Sequence, residues 1–71
     1  MIERKPVKSH TILTMGFDKL TKTLQVEFRN KAVYDYYDVP EFLYERSLTK
    51  NSINTYLNKA VYNKYKYKKV R

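Results

Sequence analysis

The spacing of apolar residues changes period along this chain, and that change dictates its layers. Leu24, Val26 and Phe28 alternate with Gln25, Glu27 and Arg29. This is the pattern of a strand with one dry face and one wet face. Further on, Ile53, Tyr56, Leu57, Ala60 and Val61 follow the i, i+3, i+4, i+7, i+8 spacing, opposite Asn54, Thr55, Asn58, Lys59 and Asn63. As a strand that segment would carry apolar residues on both sides; as a helix it has one apolar stripe. A sheet covered on one face by helix satisfies both patterns, so the fold class is α+β.

The neighbouring segments extend this frame. Residues 11–17 are β-branched or apolar and read as a strand, with a turn over 18–22. Asn30-Lys31 reads as a hairpin turn in which Asn accepts a positive φ. Residues 32–37 form a third strand, with Tyr34 and Tyr36 on one face and Val33, Asp35 and Tyr37 on the other. Short connections make the three strands an antiparallel meander. A short helix over about 39–47 is expected to start with Asp38 as cap, Pro40 in its first turn and Glu41 reaching back as in a capping box. Phe42 and Leu43 are its apolar members, and residues 49–52 break it and supply the next cap. The second helix runs from Ile53 to about Lys64. The predicted order is β-β-β-α-α, with a core of Ile12, Leu24, Val26, Phe28, Phe42, Ile53, Leu57 and Val61. Residues 1–71 make one domain, with an irregular arm at 1–9 and a tail at 65–71 that either continues the helix or runs extended beside the sheet.

A domain of 71 residues buries only about 60% of the surface its unfolded chain exposes. Without Cys and with a single His, disulfides are excluded and a closed zinc site cannot be assembled. The core must come from aromatic and aliphatic packing, for which eight Tyr and three Phe are available, or from dimerisation. No apolar run approaches the roughly 20 residues a membrane helix needs. The first six residues are charged and lack a signal-peptide core, so the expectation is a soluble, cytoplasmic protein with no membrane partner.

Catalysis has little to draw on. One Gly cannot build a phosphate-cradling loop or a dinucleotide fingerprint. Ser9 and His10 are neighbours on the chain and point apart if the segment is extended. Asp35, Asp38, Glu41 and Glu45 could be read as a carboxylate pair or a divalent-metal site, but Asp38 and Glu41 have capping roles and Glu41 and Glu45 are i, i+4 neighbours on a short helix. The expectation is a non-enzymatic domain with no cofactor and no metal.

Charge points to a binding function. The formal net charge is +8. Lys59, Lys64, Lys66, Lys68, Lys69 and Arg71 follow one another with no acid among them, whereas nine cations face seven acids before residue 59. Such asymmetry favours a polyanionic partner, nucleic acid first.

The order of landmarks also resembles a known family, the KTSC domain. The likeness begins at Ser9-His10-Thr11-Ile12 and continues through Met15-Gly16-Phe17-Asp18. It then follows Leu24-Gln25-Val26-Glu27-Phe28, Tyr34-Asp35-Tyr36 and Val39-Pro40. Ser52, Tyr56-Leu57-Asn58, Val61 and Tyr65 complete it. The ordered set, with Val-Pro close after Tyr-x-Tyr, carries the likeness. Lys31 stands where the family usually has a turn Gly, and Asn54 where a Gly is common, departures that bear on local backbone geometry. The family occurs at the C-terminus of some lysyl-tRNA synthetases and as small stand-alone bacterial and phage proteins. The synthetase context implies RNA as a partner.

The candidate nucleic-acid contacts are therefore these. Tyr65 and Tyr67 are placed to stack on bases while Lys64, Lys66, Lys68, Lys69 and Arg71 meet phosphates. Tyr34 and Tyr36 could stack from the sheet, although at least one of them is expected to pack against the helix, leaving Tyr37 exposed on the other side. Lys59 adds a cation on the polar face of the last helix. RNA is favoured over DNA, with little base specificity. The alternative is a protein-interaction or regulatory module that uses exposed Tyr and an open sheet edge to bind an acidic protein or to form a homodimer.

Overall fold

The computed structural model describes residues 2–71. It is an α+β fold: an antiparallel sheet with two helices on one side. Strands β1 (Lys5–Pro6), β2 (Ile12–Asp18), β3 (Thr23–Phe28) and β4 (Val33–Tyr36) precede α1 (Glu41–Ser47) and α2 (Ile53–Leu57). A π-helical turn, Asn58–Tyr62, extends α2, and β5 (Tyr67–Lys69) closes the chain. The sheet has five strands in the order β1-β2-β3-β4-β5, two more than the three expected. Both additional strands come from the terminal segments. Within the arm, Lys5 pairs with Met15 and Pro6 with Thr14, while the other described residues of 2–9 have no regular structure. Pro6 lacks an N–H, which an edge strand tolerates. In the tail, Tyr67, Lys68 and Lys69 pair with Tyr36, Asp35 and Tyr34, so it runs extended beside the sheet.

The register explains which residues meet the helices. Ile12 and Met15 are both fully buried although three apart, a spacing that places them on opposite faces of a regular strand. The pairing shifts between Ile12 and Thr14, and the extra residue of that bulge restores the phase. Met15 lies across from Val26, Phe17 from Leu24, and Leu24 and Val26 from Tyr36 and Tyr34. Onto this face pack Val39, Ile53, Leu57 and Val61.

Phe42 is not a core residue. It is 50% exposed, with the Arg46 guanidinium 5.0 Å from its ring centre. The inward residues of α1 are Leu43, Tyr44 and Ser47. Ser47 is buried without cost because its hydroxyl donates to the Tyr44 carbonyl at 2.6 Å. Phe28 is half-buried against the core, and Met15, Val33, Tyr36 and Val39 join the buried set.

The caps also differ from expectation. Pro40 is the N-cap of α1 and no side chain caps its free N–H groups. Asp38 instead takes a positive φ of 57°, and Glu41 pairs with Lys19 at 3.4 Å. Ser52 is the N-cap of α2 but its hydroxyl donates to Thr55 Oγ1 at 2.8 Å rather than to the backbone. In the β3–β4 turn the positive φ falls on Lys31, at 76°, not on Asn30. Lys31 N donates to Phe28 O and Phe28 N to Ala32 O, both at 2.9 Å. That is a tight turn followed by a left-handed residue, the common three-residue hairpin.

Candidate nucleic-acid interface

The π-helical turn and β5 together assemble an aromatic cluster at the β4 side of the sheet. A turn closed by i→i+5 bonds is wider than an α-helical turn and rotates less per residue, so residue i+5 falls nearer the line of residue i than it does in an α-helix. Tyr62 thereby falls beside the Leu57 stripe instead of well off it, as an α-helix would place it. Its ring stacks on Tyr36 with centroids 5.2 Å apart, and its hydroxyl donates to Asn54 Oδ1 at 3.0 Å. Tyr34 also stacks on Tyr36, at 6.3 Å, and meets Phe28 edge-on at 5.7 Å. Tyr67, brought across from Tyr36 by the β5 register, lies 5.7 Å from Tyr36 and 5.9 Å from Tyr34.

Burial sorts these rings. Tyr36 is 5% exposed and packed against Tyr34, Tyr62 and Tyr67, so it cannot receive a base; its expected stacking role is corrected to a core role. Desolvation, and then the neighbouring Tyr34 and Tyr67 hydroxyls, push its phenol up to about 12. Burial likewise raises Tyr62, with Tyr36 adding to the effect. Tyr34 and Tyr37 are half-buried, whereas Tyr67 is 59% exposed. Tyr67 is the ring of the cluster with the most surface to offer.

The cations of the tail fall on both sides of β5. Lys69 lies across from Tyr34, on the helix side, and Lys68 across from Asp35, on the outer side. Lys66 is tied by its carbonyl to Tyr37 N at 2.9 Å. Val33 N donates to Arg71 O at 2.8 Å, and the Arg71 guanidinium reaches Glu27 Oε2 at 3.4 Å. Arg71 is thus partly spent inside the protein. Lys59 and Lys64 are exposed on the π turn and just after it, and Tyr65 is half-buried against the core. The structure brings Tyr34, Tyr67, Lys66, Lys68 and Lys69 onto one strand pair and leaves Lys59 on a separate element.

The outer face of the sheet holds a polar network that sequence reading did not anticipate. Arg4 Nη1 donates to Gln25 Oε1 at 2.6 Å, and Gln25 Nε2 to Asp35 Oδ1 at 2.8 Å. Thr14 Oγ1 donates to Glu27 Oε1 at 2.9 Å. The signal for this network was present in the wet positions of the alternating strands, but their burial was not. It is supplied by residues 2–4, whose backbone crosses Gly16 so closely that a Cβ there would collide with the Glu3 carbonyl and lie 2.9 Å from Ile2 Cγ2.

Comparison with known proteins places this arrangement. The family model described as KTSC domain matches residues 8–65. The chain belongs to the KTSC domain family. Among solved structures, the KTSC domain protein of Yersinia pestis is similar over 100% of both chains, with a TM-score of 0.94 and 27% identity. No curated protein matches the chain. The match runs through both stretches that anchor the aromatic cluster, β4 and the α2–π segment, and stops at Tyr65, before β5. The lysines of β5 therefore lie beyond the part of the KTSC domain that the family model describes. Among the described residues, no helix is long and apolar enough to cross a membrane.

Proposed function

We propose that this KTSC domain is a small non-enzymatic nucleic-acid-binding module, with RNA as its preferred ligand. The observation that carries the reading is β5, fixed by pairing with β4: it holds an exposed Tyr67 ring on the helix side together with Lys69, while Lys68 projects from the outer side and Lys66 directly precedes the strand. A ring held in place by strand pairing and by packing on Tyr34 and Tyr36 stacks on a base with little further ordering, and stacking of that kind is worth about 1–3 kcal/mol per base. The surrounding ammonium groups supply sequence-independent attraction to phosphates. Little base specificity follows, because no recognition helix or arginine fork accompanies them.

The competing reading is a protein-interaction module that adds a strand at the open edge. β5 is three residues long and basic, and lysines on an edge strand oppose strand addition. That favours the nucleic-acid reading.

The test is fluorescence anisotropy with labelled single-stranded RNA, duplex RNA and DNA across a salt series. The expected result is binding that survives physiological salt and prefers one form, with a log–log salt slope no steeper than about −4 to −5. Replacing Lys64, Lys66, Lys68 and Lys69 with Gln should abolish it. Tyr67→Ala should weaken it about tenfold or more. Unchanged binding in the quadruple variant would overturn the reading. A chain that sediments as a dimer and ignores RNA would favour self-association through the edge.

A further inference from the structure

The meander gathers cations that are scattered in the sequence. Ile12 pairs with Phe28, and Arg29 N donates to Thr11 O at 2.9 Å. The β1–β2 turn and the β3–β4 turn therefore sit at one end of the sheet, where Arg71 also pairs with Val33. Residues 7–11, 29–32 and 70–71 contain Lys8, His10, Arg29, Lys31 and Arg71 and not one acid. The opposite end holds Asp18, Asp38 and Glu41, the last paired with Lys19. One end of the molecule is cationic and the other is mixed.

At the cationic end lies a groove of about 990 Å³ between the β1–β2 turn and the α1–α2 loop, lined by Lys8, Arg29 and Lys50 and by no carboxylate. Among the described residues, none of these three cations is within ion-pair distance of an acid. Two of them are held in place. Arg29 Nη2 donates to the Ser9 carbonyl at 2.8 Å, which fixes the guanidinium and leaves its other N–H groups available. Lys50 Nζ sits 5.1 Å from the centre of the Tyr56 ring. The turn is itself braced, with Thr11 N and Ile12 N both donating to Ser9 Oγ at 3.1 Å. Pro6, Val7 and Leu48 give the groove an apolar flank.

We propose that this groove seats a phosphate group of a nucleic-acid strand, with Arg29 and Lys50 as its principal ligands, Lys8 as a third, and the adjoining nucleoside against Leu48. The inference deepens the nucleic-acid reading by naming a second contact, remote in sequence from β5. Held cations without an internal counter-ion gain more from an incoming phosphate than flexible ones, because the ordering is already done.

The experiment is an amide NMR titration of the full chain with inorganic phosphate, with a terminally phosphorylated dinucleotide and with its dephosphorylated form. It is run on the wild type, on Lys8→Gln/Lys50→Gln, on Arg29→Lys and on the quadruple tail variant. The expected result is saturable shifts confined to residues 8–11, 29 and 48–55, tighter for the phosphorylated dinucleotide than for phosphate alone. Lys8→Gln/Lys50→Gln should lose about tenfold in affinity and Arg29→Lys a smaller factor, while the tail variant retains the groove shifts. That retention separates this site from the β5 reading, since the tail can fail to bind RNA while the groove still binds phosphate. Shifts scattered over all lysine-bearing surfaces, or wild-type affinity in Lys8→Gln/Lys50→Gln, would overturn the proposal. Equal affinity for inorganic phosphate and for the dinucleotide would overturn the strand as ligand.

Discussion

The two faces of the sheet are buried by different means. The helix side is covered by α1, α2 and the π turn, and the residues packed beneath them are apolar or aromatic. The outer side has no helix over it, yet Glu27 is only 8% exposed and Val33 is buried. There the cover is the two chain ends: residues 2–4 over Gly16, and Arg71 beside Val33. A helix buries by area, whereas a chain end buries by backbone contact and by hydrogen bonds to side chains that remain polar. The outer face can therefore be dry without being apolar, and its stability rests on satisfied partners such as Thr14, Glu27 and Arg4.

The sharpest break between the faces should come from truncating one core residue. Leu57 is fully buried, and Leu57→Ala should cost about 3 kcal/mol through lost burial and the cavity left behind. Urea unfolding followed by circular dichroism measures it, and a loss below about 1 kcal/mol would mean that the helix side is not the main source of stability. The outer face should answer next to Gly16→Val. The added side chain meets the backbone of Glu3, so the arm must move. The expected cost is about 1–3 kcal/mol, and amide exchange at residues 25 and 27 should rise while the helices stay protected.

Legibility follows the same division. The β3 alternation and the α2 stripe were readable because a single apolar face against solvent imposes a single period. Tyr34 and Tyr36 were placed on one face correctly for that reason. Phe42 was misplaced because α1 presents Leu43, Tyr44 and the self-bonded Ser47 inward, and a buried serine has no apolar signature. Met15 was hidden by the bulge in β2, since one extra residue inverts the strand phase. Tyr62 was hidden by the π turn for the corresponding reason in a helix. β1 and β5 gave almost no local signal: Lys-Pro and Tyr-Lys-Lys become strands only because β2 and β4 offer edges. In the candidate site, the tail was visible as a charge run. Lys8, Arg29 and Lys50 were not, because only the topology brings their turns together.

The aromatic cluster predicts a pH dependence confined to the helix side. Unfolded tyrosines ionise near 10, whereas Tyr36 is raised to about 12 and Tyr62 and Tyr44 are raised as well. Above pH 10 the unfolded chain releases protons that the folded chain keeps. The stability these groups contribute is complete below that pH and falls as pH rises towards 12. Tyrosinate absorbance should show Tyr36 ionising above the value of an unfolded tyrosine, and Tyr36→Phe should flatten the alkaline loss of stability. An alkaline loss of stability that is unchanged in Tyr36→Phe would contradict the contribution of this buried phenol.

The smallest expected effect lies on neither face and isolates the backbone from both. Lys31 holds a φ of 76° and Lys22 one of 54°, a region that costs a residue with a Cβ about 1–2 kcal/mol. Glycine removes that strain but adds chain entropy to the unfolded state, about 0.5–1 kcal/mol. Lys31→Gly should therefore stabilise the domain by roughly 0.5–1 kcal/mol, a rise of a few degrees in melting temperature for a chain of this size. Lys22→Gly should do the same, while Asp38→Gly, at a φ of 57°, should gain less because aspartate tolerates this region better. If Lys31→Gly destabilises instead, its aliphatic stem or its charge is contributing more than the turn strain costs. The cationic end of the sheet would then be stabilised by contacts that the turn geometry alone does not reveal.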